Sequence, residues 1–164
     1  MKQRRPIPTV GVVPSTLRKE NDMIDPRKVT GENIAAVNAG DPDRLRATYA
    51  PDVLAEAPGA KLEGAEAITD YVMVWAQAFP DMHQTIVNEL VADDWVVSEF
   101  TVTGTHTGIL ASPDGDIPPT NRRATARGVQ LQRVAGGKIV EEHVYFDQLE
   151  ILSQLGLVPE PATV

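Results

Sequence analysis

Glu141-Glu142-His143-Val144-Tyr145-Phe146-Asp147 is an alternating run that ends just before an apolar, helix-like tail. Read as a strand, it sends side chains to alternate faces, so His143, Tyr145 and Asp147 project together while Val144 and Phe146 pack on the opposite side. That delivers one carboxylate to a surface with an imidazole and a phenol beside it. A carboxylate held among rings and partly desolvated keeps its proton more readily, which makes it a usable general acid or base. The same position, a strand end ahead of a helix, equally suits an aspartate that caps the helix N-terminus.

The same chemistry extends upstream. His83 to Val91, Val96 to His106, Thr125 to Val134 and Lys138 to Asp147 are rich in Val, Ile, Thr and aromatic residues, the composition of strands. Asp93-Asp94 and Gly136-Gly137 supply short turns, which predicts antiparallel hairpins. The connection from Gly108 to Arg123 is rich in proline and glycine, too long for a tight turn and suited to a loop over a cavity mouth.

Ahead of the strands the period changes to that of helices. Asp25-Pro26 offers an N-cap and a proline at the first helical position, Val29, Asn33, Ile34 and Val37 follow at helical spacing, and Gly40 ends the run. Asp41-Pro42 repeats the start signal for a short helix carrying Leu45 and Tyr49 that stops before Pro51, after which Val53 to Ala57 reads as a brief strand. Gly64 precedes the clearest helix, in which Ile68, Tyr71, Val72, Trp75 and Phe79 form one apolar stripe that Pro80 terminates. Core packing accounts for most of that stripe, and Trp75 and Phe79 are its candidates for a binding role. Helices first and an antiparallel meander afterwards is an α+β order.

Composition narrows the function. With 164 residues, 42% of them hydrophobic, the chain reads as one domain over residues 23–164. Met1 to Asp22 mixes Lys2, Arg4 and Arg5 with prolines and reads as a flexible extension, not a secretion signal. The absence of cysteine removes disulfides and thiolate chemistry and fits a reducing cytoplasm. His83, His106 and His143 have no ligand-like spacing, so the expectation is a protein without metal or cofactor. A formal net charge of -8 argues against a nucleic-acid partner, the Arg122, Arg123 and Arg127 patch being better explained as a solvated strand face. No run of apolar residues is long enough to span a membrane.

Five segments together resemble a known family: Ala78-Phe79-Pro80-Asp81-Met82, Thr103-Gly104-Thr105-His106-Thr107-Gly108, Ile117-Pro118-Pro119-Thr120, Gly137-Lys138-Ile139, and Asp147 with Gln154-Leu155-Gly156. In that order and spacing, from about Val29 to Val158, the chain resembles the SnoaL-like polyketide cyclases. The resemblance implies a cone-shaped α+β barrel of the kind shared with ketosteroid isomerase and scytalone dehydratase, its curved antiparallel sheet wrapped around N-terminal helices. It further implies cofactor-free acid/base chemistry in an apolar pocket, with Asp147 matching the aspartate that serves the cyclases in an intramolecular aldol closure. His106 ends a strand near the long loop, where it would either bond a substrate oxygen or fix the loop backbone.

The expected site is therefore Asp147 and His106 as catalytic groups, with Trp75, Phe79, Gln132, His143 and Tyr145 around a small hydrophobic or polyketide-like substrate. Three departures from the family stand out, one of them Tyr145-Phe146 in place of a tryptophan-containing stretch before the aspartate. Gln132 falls at or near a family histidine and cannot titrate, and Asn121 stands where the family commonly has glycine. An isomerase, dehydratase, hydrolase or non-catalytic ligand carrier would need only changed polar groups in the same pocket. Alternating apolar residues such as Val97, Leu131 and Val144 on the outer sheet face lead to the expectation of a homodimer or homotetramer.

Overall fold

The computed structural model describes residues 24–112 and 115–158, so the extension read over Met1 to Asp22 lies outside the described residues. Helix α1, Pro26–Ala39, starts where the Asp25 carboxylate accepts the Arg27 N–H and stops at Gly40. Helix α2, Pro42–Thr48, repeats the device, with Asp41 accepting the Arg44 N–H. In both, the aspartate satisfies a backbone donor that the first turn leaves free, and the proline has no such donor to satisfy.

Strand β1, Tyr49–Ala57, begins earlier than its sequence indicates and runs through Pro51. It turns back into the short strand β2, Ala60–Glu63, which the sequence reading missed. Helix α3, Ala65–Ala78, follows, then β3, His83–Ala92, β4, Trp95–Thr105, β5, Arg123–Ala135, and β6, Lys138–Phe146. Helix α4, Gln148–Gln154, closes the described chain. The strands form one sheet in the order β2-β1-β6-β5-β4-β3. The β3–β6 meander is antiparallel as expected, but β1 pairs with β6 in parallel, so the sheet is mixed. It is curved and open, not closed into a barrel, since β2 and β3 are both edges. Bulges between Tyr49 and Leu54, Ile86 and Asn88, and Arg133 and Val134 contribute to the bending.

Pairing register fixes which residues share a face. Leu90, Val97, Leu131 and His143 form one row across β3, β4, β5 and β6 on the outer face. The neighbouring rows Val96, Gln132 and Glu142, then Ser98, Gln130 and Val144, then Phe100, Gly128 and Phe146 lie on the face that α1 and α3 cover. The outer-face expectation is thus met by Val97 and Leu131 and corrected for Val144, which points inward.

Gly128 shows how tightly the inner face is built. A Cβ there would lie 2.5 Å from both the Phe100 ring and the Tyr145 carbonyl oxygen. The ring can tilt, but the carbonyl belongs to the paired strand and cannot give way cheaply. Gly128→Ala is expected to cost about 1–3 kcal/mol of stability, the range for overpacking a filled site. Urea unfolding followed by circular dichroism reads that loss directly, and an unchanged midpoint would show that the two strands separate locally without cost.

Candidate active site

Between the inner sheet face and helices α1 and α3 lies an open-mouthed cavity of about 140 Å³. Helix α3 supplies Ile68, Tyr71, Val72 and Trp75, four residues on one helical face, and the sheet supplies Phe100, Val102, Val144 and Phe146. Phe146 meets the Trp75 ring edge-on at 5.7 Å and closes that side of the wall. Nearly all of the lining is apolar, which makes its few polar groups conspicuous.

The foremost of these is Glu142, 5% exposed and in the cavity wall. Its carboxylate accepts a hydrogen bond from the Tyr49 hydroxyl at 2.9 Å and another from Gln132 Nε2 at 2.6 Å. Gln132 Nε2 also reaches Asn33 Oδ1 at 3.3 Å, and Asn33 Nδ2 donates to the Thr48 hydroxyl at 2.9 Å. A second arm runs along the sheet: Gln84 Nε2 donates to Gln130 Oε1 at 3.0 Å, and Gln130 Nε2 to Gln132 Oε1 at 3.3 Å. The carboxylate fixes the sense of this chain. It can only accept, so Gln132 must turn its NH₂ towards it and its carbonyl away, and each amide behind follows suit.

Burial disfavours the charged form of Glu142 and raises its pKa above the ordinary carboxylate value, although the hydrogen bonds from Tyr49 and Gln132 act in the opposite direction. Tyr49 is pushed well up as well, first by burial and then by the neighbouring Glu142 charge, so it stays a hydroxyl that can donate. The result is a desolvated acid, held in place by donors and facing an apolar space. Each carboxylate oxygen has a further lone pair beyond the bond it already accepts.

The residues singled out from sequence divide between this site and elsewhere. Trp75 lines the cavity and Gln132 lies directly behind it as the donor to Glu142. Phe79 is buried at the end of α3, stacked on Trp75 at 6.2 Å and on His106 at 5.1 Å, beside a smaller adjoining pocket. His106 is fully buried, and its Nδ1 takes the Thr120 backbone N–H at 3.3 Å while its own backbone bonds Asn121 and Arg122. These are the contacts of a loop anchor, and burial lowers its pKa towards the neutral ring that such an anchor needs. Asn121, in place of the family's glycine, adopts a φ of 58°, which explains why glycine suits the position.

His143 and Tyr145 are corrections. Both sit on the outer sheet face: His143 between Glu141 at 3.1 Å and Glu56 at 3.8 Å, and Tyr145 58% exposed. Glu142, Val144 and Phe146 are the inward set, so the alternation is real and its faces are reversed. Asp147 is exposed and is not among the cavity-lining residues. Its carboxylate accepts the Leu149 and Glu150 N–H groups at 2.8 and 3.1 Å, as the N-cap of α4. Glu142 itself is not singled out by the sequence motifs, although its parity with Val144 and Phe146 marks the inward face.

Comparison with known proteins agrees with this architecture. AclR from Streptomyces galilaeus, a proposed hydroxylase, superposes with a TM-score of 0.71 at 24% identity, over 82% of this chain and 98% of its own. IdmH from Streptomyces antibioticus, a proposed polyketide cyclase, gives 0.67 at 26% identity, over 81% and 99%. A SnoaL-like polyketide cyclase candidate from Jannaschia gives 0.73 at 19% identity, over 87% and 99%. Among curated proteins, none is significantly similar in sequence. The sequence profile of the SnoaL-like polyketide cyclases matches residues 28–155, most of the chain and all of the elements that build the cavity except the first residues of α1, and this protein belongs to that family.

Proposed function

We propose that the cavity is the active site of a polyketide cyclase-like enzyme in which Glu142, not Asp147, moves the proton. The observation that carries this reading is a buried carboxylate of raised pKa, hydrogen-bonded on both oxygens, in the wall of a mostly apolar cavity. Such a group, ionised, takes a proton from a carbon next to a ketone. The enolate carbon then attacks a second carbonyl of the same chain, and the new alkoxide recovers the proton from Glu142. One C–C bond forms, one C=O becomes C–OH, and the carboxylate is regenerated with no change of oxidation state. Folding of the substrate by the aromatic and aliphatic walls and exclusion of water supply the rest. The same fold also accommodates a non-catalytic carrier of small apolar molecules, which would use the cavity without needing the carboxylate.

Exchange of the α-protons of 4-methylcyclohexanone in D₂O, followed by NMR, separates the two. The wild type is expected to accelerate exchange, and Glu142→Gln to lower the rate by about 10²-fold or more, the scale for a positioned acid/base group. Asp147→Asn keeps a side-chain oxygen for the α4 cap and is the counter-test: a comparable loss there would return the proton to Asp147 and overturn this assignment. The rate should rise with pH through the raised Glu142 pKa, because the ionised form is the base.

Stability should respond in the opposite sense. The folded state binds the Glu142 proton more tightly than the unfolded chain does, so the stabilisation is complete below the unfolded carboxyl pKa and is lost as pH rises through the folded one. Glu142→Gln has no such proton to lose. The wild-type-minus-variant difference in unfolding free energy, measured in urea from pH 4 to 8, is expected to fall with pH, and a flat difference would mean that Glu142 titrates as it does in the unfolded chain.

A further inference from the structure

Among the described residues, three buried side-chain polar atoms have no hydrogen-bond partner: Tyr71 Oη, Ser98 Oγ and His106 Nε2. Only Tyr71 belongs to a residue that lines the cavity. A phenol proton withdrawn from water and left without an acceptor costs free energy that native proteins rarely leave uncompensated. The Trp75 indole N–H is directed at the Tyr71 oxygen, but an indole can only donate, so the phenol proton itself has no acceptor. Glu142 takes its donors from Tyr49 and Gln132. Tyr71 stands on α3 and Glu142 on β6, so the cavity wall carries a phenol proton without an acceptor on the helix side and a carboxylate on the sheet side.

We infer that the Tyr71 hydroxyl is the carbonyl-binding group of this site, donating to a ketone oxygen of the substrate while the adjacent carbon faces Glu142. The inference rests on the reading of Glu142 as the proton-transfer group and adds the group that holds the ketone oxygen, which only accepts. A hydrogen bond to that oxygen strengthens as negative charge gathers on it, so Tyr71 favours the enolate over the ketone. Burial holds the phenol above its ordinary pKa and keeps it a donor throughout.

The test uses two compounds of one shape, 4-methylcyclohexanone and its methylidene analogue, in which C=CH₂ replaces C=O. Affinities come from NMR titration of the full-length protein. The wild type is expected to prefer the ketone by about fivefold to tenfold, the worth of one net hydrogen bond. Tyr71→Phe should erase that preference, leave the affinity for the methylidene analogue and the thermal stability unchanged, and slow α-proton exchange. Glu142→Gln should keep the preference while lowering exchange by about 10²-fold or more. A Tyr71→Phe variant that still prefers the ketone overturns the inference and leaves the role of Glu142 standing. Loss of the preference in Glu142→Gln alone assigns the oxygen to the carboxyl group and overturns it too. Failure of the wild type to bind either compound would bring down the cavity reading and Tyr71 with it.

Discussion

The polar network at the centre of this molecule is built around one constraint, a Glu142 carboxylate held out of water. A buried carboxylate is tolerable only if its lone pairs are met, and the protein meets them from separate parts of the chain: Tyr49 at the start of β1 and Gln132 on β5. Asn33 of α1 and Thr48 at the end of α2 then tie the first two helices to the same network. The hydrogen bonds therefore do more than satisfy one group. They fix the α1–α2 layer against the inner face of the sheet.

The chain of amides behind Glu142 has a direction, and the direction has a consequence. Gln84, Gln130 and Gln132 each donate towards the carboxylate, so their dipoles add in stabilising its negative form against the cost of burial. A histidine at position 132 would supply a second titrating group at this point. Glutamine supplies a fixed donor instead, and leaves Glu142 as the one ionisable group of the relay apart from the phenol of Tyr49. The relay accordingly holds one carboxylic acid, kept in place by donors on both oxygens.

The sequence announces the elements far better than the faces. Asp25-Pro26 and Asp41-Pro42 begin helices because the cap and the missing amide hydrogen act locally, within four residues. The hairpins of β3 to β6 are legible for the same reason. The parallel pairing of β1 with β6 joins residues about ninety positions apart, and no local signal reports it. Strand β2 escapes notice because its alternation is short and half its residues are charged. Glu141 and Glu142 are identical letters with opposite fates, one at the surface with Arg133 and His143, the other in the cavity. What separates them is parity with Val144 and Phe146, and the acid on the apolar parity of the strand is the buried one. Asp147 drew notice by standing last in the run, the place a helix cap occupies.

The same distinction governs how far the relatives can guide. A proposed hydroxylase and a proposed cyclase superpose on this chain almost equally well, so backbone geometry is shared across members named for different chemistry. What can differ is the short set of polar atoms that breaks an apolar wall. Here that set includes a carboxylate with two donors on the sheet side and, on α3, a phenol whose proton has no acceptor. A hydrocarbon would leave the phenol unpaired, and an alcohol would compete as a donor for the carboxylate. A carbonyl accepts at its oxygen and yields a proton at its neighbouring carbon, and is the functional group that answers both sides of the cavity at once.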